Sequence, residues 1–116
     1  MKLEMMYVPT SDLEGSLTAY RDGFGGVELW REGDTTAALT FPGTDAQVML
    51  DASDPQAAVG PMFTVDSATA FHDQRPTSLT VVEEPSEIPG GFMATYRDAG
   101  GTTIYVIDQS TDAAVS

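Results

Sequence analysis

The chain has 116 residues, 41% of them apolar, with 18 acidic against 5 basic side chains for a net charge of −13. That length gives room for one domain, 1–116, around one core, and the apolar content excludes disorder as a starting assumption. A surface of this sign repels phosphate, which excludes nucleic acid and anionic membranes as partners, and the absence of cysteine excludes disulfides, thiolate ligands and a thiol nucleophile.

No apolar run approaches the roughly 18 residues of a membrane span. Glu4 interrupts the stretch where a signal peptide would need unbroken apolar character, so a cytoplasmic protein is expected. The acids are scattered from Glu4 to Asp112, with no block longer than Glu83-Glu84, which describes a solvated acidic surface rather than a tail.

In chain order, residues 2–9 (KLEMMYVP) read as a strand closed by Pro9. Ser11 or Asp12 then caps a helix whose Leu13, Leu17 and Tyr20 share one face, and Gly25-Gly26 stops it. Three strands follow at 27–32, 35–42 and 46–51, separated by turns at Gly33-Asp34 and Gly43-Thr44-Asp45. The segment 51–60 is a connector broken by Asp54-Pro55 and Gly60.

The same order then returns. A strand at 61–66 leads to a short helix at 67–74, opened by Asp66 or Ser67, and to a strand at 78–84. PSEIPGG reads as a turn-rich loop, and 92–98 with 102–108 as a hairpin across Ala99-Gly100-Gly101. The tail, 109–116, is expected to fray. Two copies of one order are an internal repeat: module one at about 2–51 and module two at about 60–108. The expected architecture is α+β, two βαβββ modules forming a curved eight-stranded mixed sheet around a cleft, and such clefts take small ligands.

Three segments carry a resemblance: VPTSDLEGSLTAYRDGFG, GPMFTVDSATAF and EPSEIPGGFMATYRDAGGTTIYVID. Together they resemble the vicinal oxygen chelate superfamily, the glyoxalase, bleomycin-resistance and extradiol dioxygenase fold. Metal-dependent members of that family hold a divalent ion with histidines and carboxylates on the first and last strands of each module. By the resemblance, those positions fall on Met5, Met49, Gly60 and Tyr105 here. None is a ligand for a hard or borderline cation. The resemblance therefore implies the metal-free branch: no metal, no cofactor and no catalytic residue. It also implies a homodimer that binds a small molecule. A metal-dependent lyase or dioxygenase of the same superfamily is the alternative.

The residues expected to line the binding cleft are Met5, Tyr7, Trp30, Met49 and Tyr105, through adaptable thioethers and aromatic stacking surfaces. Core packing is the competing reading for the Met5-Met6-Tyr7 string. His72, the one histidine, is expected at the surface or an interface. Glu83-Glu84 reads as a solvated edge, with one inward general base as its sharper alternative. Gly90-Gly91 reads as a turn. No serine, lysine or threonine stands in a recognised nucleophile motif.

Overall fold

A computed structural model describes residues 1–110, so most of the tail expected to fray lies outside the described residues. The chain is α+β, and the order β-α-β-β-β runs through it twice. The first pass is β1 (Lys2–Pro9), α1 (Leu13–Phe24), β2 (Val27–Glu32), β3 (Thr36–Thr40) and β4 (Gln47–Asp51). The second is β5 (Gly60–Thr64), α2 (Ala68–Gln74), β6 (Thr80–Ile88), β7 (Gly91–Arg97) and β8 (Thr103–Ile107). Two compact units result: Met5–Val59, and Met1–Glu4 together with the chain from Gly60 onward.

In the unit Met5–Val59 the strands lie in the order β2-β3-β4-β1. β1 runs parallel to β4, and the other neighbours are antiparallel. Asp12 caps α1 by accepting from the Gly15 amide, and Gly25 ends it in the left-handed conformation at φ 73°. The helix packs Leu13 and Leu17 on Ala37, Leu39 and Leu50, with Val8, Tyr20, Phe41 and Val48 around them. Alternation along each strand sends these residues to the α1 side and their neighbours to the opposite face.

The other unit repeats the pattern, β5-β8-β7-β6, with β5 parallel to β8 and the rest antiparallel. Ser67 caps α2, which packs Phe71 onto a core of Ala94, Tyr96 and Val106. Phe71 meets the Tyr96 ring edge-on at 5.7 Å. Thus Tyr20 and Phe71, the aromatics near the two helix ends, do the same work in their own cores.

Two boundaries differ from expectation. β5 begins at Gly60, read above as a breaker, and stops at Thr64. The segment expected as a turn-rich loop is largely strand: β6 runs through Pro85 to Ile88, and only Pro89-Gly90, with Gly90 at φ 86°, turns the chain. β6 is the outer strand of its unit and its pairing with β7 shifts register at Val81/Glu83 and again at Glu83/Ser86. A proline needs no ladder partner at such a bulged edge.

Candidate functional site

Residues that face each other across a ladder share a face, so the register of the unit Met5–Val59 builds its helix-free face directly. Tyr7 pairs with Met49, Met49 with Ala38, and Ala38 with Trp30, which makes one row across β1, β4, β3 and β2. Met5 stands two residues along β1, in a row with Gln47 and Thr40. Four of the five expected lining residues therefore share one face. Tyr7 and Ala38 are buried, Met5 and Met49 half-buried, and Trp30 is 37% exposed at the outer strand.

Trp30 reaches this face because β2 carries a bulge. Strict alternation from Val27 would give the face to Leu29 and Arg31. The register shift between Glu28 and Trp30 sets Trp30 opposite Ala38 instead. Arg31 is thereby turned to the α1 side, where it meets Glu14 at 2.8 Å and Glu28 at 2.7 Å.

At the end of the same face lies a residue the sequence reading missed. Asp51 follows Met49 by two positions and pairs with Pro9 and Thr36. Its carboxylate is buried and accepts from the Tyr7 hydroxyl, from Thr36 Oγ1 at 3.1 Å, and from the Ser53 amide and hydroxyl at 2.9 and 2.7 Å. Burial acts to raise this carboxyl, yet the hydrogen bonds from Tyr7, Ser53 and Thr36 outweigh it and hold it below the usual aspartate value.

The signal was in the chain twice, as Asp51-Ala52-Ser53 and Asp108-Gln109-Ser110. Asp108 accepts from the Ser110 amide and hydroxyl at 3.1 and 2.8 Å, as Asp51 does from Ser53. Its remaining partners differ. They are backbone amides: Ala68 at the start of α2, at 2.6 Å, and Phe92, at 3.0 Å. The two motifs sit one residue out of phase, for Asp51 follows Met49 by two positions and Asp108 follows Tyr105 by three. One step along a strand exchanges faces, so Asp108 fastens α2 while Asp51 looks to the helix-free side. Burial raises Asp108 too, and the amides of Ala68, Ser110 and Phe92 with the Ser110 hydroxyl bring it below its ordinary value.

In the other unit the corresponding row is Met62, Tyr105, Thr95 and Glu83, on the face away from α2. Tyr105, the fifth expected lining residue, is buried there. Glu83 is exposed on the outer strand of this row, and exposed Glu84 belongs to the α2 side, 3.9 Å from His72 Nε2.

His72, expected at the surface or an interface, is 15% exposed; its Nδ1 lies 2.8 Å from the buried Tyr96 hydroxyl, and the two rings stack. α2 is so short that its inner face needs Phe71 and His72 together to cover β7.

The four positions at which the resemblance would place metal ligands hold two thioethers, a phenol and a glycine. Gly60 leaves no space for a longer residue, since a Cβ there would lie 2.1 Å from the Thr103 carbonyl oxygen across the β5–β8 ladder. Such a set does not fit a hard or borderline cation. Among the described residues no group of three or more histidine, aspartate or glutamate side chains is placed to hold a metal ion.

No protein-family model and no curated protein matches the sequence. Solved structures do. An NAD-dependent benzaldehyde dehydrogenase from Legionella pneumophila is 15% identical, covering 90% of this chain and 96% of that one at a TM-score of 0.76. A methylmalonyl-CoA epimerase from Mycobacterium tuberculosis is 18% identical, over 98% and 91%, at 0.63. A glyoxalase/bleomycin resistance protein/dioxygenase superfamily member from Vibrio splendidus 12B01 is 15% identical, over 90% and 95%, at 0.59. The chain thus has the vicinal oxygen chelate fold. Names so different on one fold show that the fold does not choose an activity, which has to be argued from side chains.

Proposed function

We infer that this chain binds a small molecule on the helix-free side of its sheet and does so without a catalytic metal. The observation that carries the reading is the row Tyr7–Met49–Ala38–Trp30, with Met5 beside it. It sets aromatic and thioether surface around a small central residue, on a face where its own helix is not needed for cover. Aromatic rings and methionines suit flat, irregular apolar ligands. Tyr105 marks the corresponding face of the other unit and belongs to the same reading.

The residues at the four family ligand positions support a role without metal. Cytoplasmic location is part of the proposal; no helix among the described residues is long and apolar enough to cross a membrane. A homodimer completes it, since two-fold pairs are the commonest oligomers.

The test is metal analysis of purified protein joined to a melting screen of planar aromatic compounds. Zinc, nickel, manganese and iron are expected well below one per chain, with the melting temperature unchanged by chelator. Binding compounds raise it according to their occupancy, and Trp30→Ala weakens that shift. One divalent ion per chain, lost to chelator together with stability, would favour the lyase or dioxygenase alternative. A screen in which no compound shifts the melting temperature would count against binding altogether.

A further inference from the structure

In the unit that carries α2, a cavity of about 220 Å³ lies between α2 and β6, open to solvent and lined by Thr69, His72, Asp73, Glu84 and Pro85. His72 is the one histidine of the chain, and its two ring nitrogens have different surroundings. Nδ1 lies 2.8 Å from the hydroxyl of Tyr96, a side chain with no exposed surface. Nε2 stands at the cavity, 3.9 Å from Glu84 Oε1, too far for a hydrogen bond.

Tyr96 decides which nitrogen carries the hydrogen. Burial pushes the Tyr96 phenol up against the opposing pull of the Arg75 charge, so it keeps its hydrogen. Among the described residues, His72 Nδ1 is the acceptor beside it. Were Nδ1 itself protonated, two hydrogens would meet, and the phenol would keep the full cost of an unmet buried donor. The hydroxyl therefore donates to Nδ1, and the neutral ring carries its hydrogen on Nε2, at the cavity.

The cavity thus offers one N–H donor beside carboxylate acceptors. An anion would suit Nε2 but meet Glu84, Asp73 and a net charge of −13. A cation would suit Glu84 but face the Nε2 hydrogen. A neutral group carrying an acceptor next to a donor satisfies both. We propose that this cavity is a second binding site, for a lactam or a primary amide whose carbonyl accepts from His72 Nε2–H and whose N–H donates to Glu84. The 3.9 Å gap leaves the two side chains unmet by each other, and one amide edge spans it. Pro85 supplies an apolar wall for the body of the ligand. Tyr96 is a positioning residue, since it acts only through the imidazole.

The site is independent of the helix-free face, and a matched pair of probes tests it. 2-Pyrrolidinone and N-methyl-2-pyrrolidinone differ by exchange of the ring N–H for N–CH3. Each is titrated into the full-length protein at about pH 8, where histidine is commonly uncharged. Binding is read by NMR from the backbone amides of Thr69, Asp73 and Glu84 and from the His72 ring nitrogens. The ring is expected in the Nε2–H form alone in wild type, and as a mixture of both forms in Tyr96→Phe. 2-Pyrrolidinone is expected to bind about threefold more tightly than its N-methyl analogue, the worth of one hydrogen bond. That preference should vanish in Glu84→Ala, which removes a side chain 81% exposed and not needed for packing. An Nδ1–H ring in wild type, equal binding of the two probes, or a preference that survives Glu84→Ala overturns the proposal. So does a response confined to Ala38 and Met49, which would put the probe on the helix-free face, or no response at all.

Discussion

At the residue scale, the buried aspartates concentrate both the chemistry and the risk. Asp51 and Asp108 each lie almost out of solvent, and each is held below its ordinary value because hydrogen-bond donors outweigh burial. A carboxyl depressed on folding stabilises the native state above its unfolded value, about 3.9, and loses that contribution as pH falls through the folded value. The melting temperature should therefore hold from neutrality down to about pH 5 and drop steeply below about pH 4. Asp51→Asn should start lower at neutral pH yet fall less over the acid range, since one of the two titrations is gone. Calorimetric scans of both proteins across that range check this. Parallel acid limbs would mean that Asp51 is not ionised in the folded state.

At the element scale, each secondary structure is held by a device that can be read locally and removed singly. α1 has twelve residues and contains two interior glycines, so its own propensity is poor and the Asp12 cap matters more than usual. Asp12→Ala should cost about 1 kcal/mol by leaving the Gly15 amide without its acceptor. Denaturant unfolding would show this as a lower midpoint with an unchanged slope, and no loss would mean that Thr10 or water takes over the cap. The outer strands β2 and β6 both carry register shifts and acidic side chains, features that blunt an exposed edge against pairing with other chains. In β2 the same bulge also re-aims Trp30, so one local irregularity serves both ends.

At the scale of the whole molecule, charge dominates. Thirteen net negative charges on a chain of 12.3 kDa repel one another in the folded state. Raising sodium chloride from low to molar concentration shortens the Debye length from about 30 Å to about 3 Å, so the melting temperature should rise. A flat or falling curve would show that the acids are compensated where they stand. The proposed homodimer must form against the same repulsion. Light scattering at micromolar concentration should give about twice the chain mass, and a monomer at every concentration would refute the pairing.

Much of this protein was legible from the chain alone, because the signals involved are local. The caps at Asp12 and Ser67, the stop at Gly25, the turn at Gly90 and the apolar spacing of α1 act within a few residues, and the repeated order of elements follows from them. Met5, Tyr7 and Met49 share one face by simple alternation along β1 and register with β4. What needed tertiary structure was whatever depends on pairing between distant segments. The bulge that turns Trp30 to the helix-free face exists only against Ala38 of the neighbouring strand. β6 passes through Pro85 because an outer strand tolerates a missing donor, and the sequence does not say which strand is outermost. His72 is held against β7 because Tyr96, 24 residues away, supplies a partner for its ring nitrogen. The Asp-x-Ser motif stands in the sequence twice, but its two roles differ by one step of strand phase. Only the register of β1 against β4 brings the Tyr7 hydroxyl to Asp51 and turns a local staple into the polar end of a candidate site.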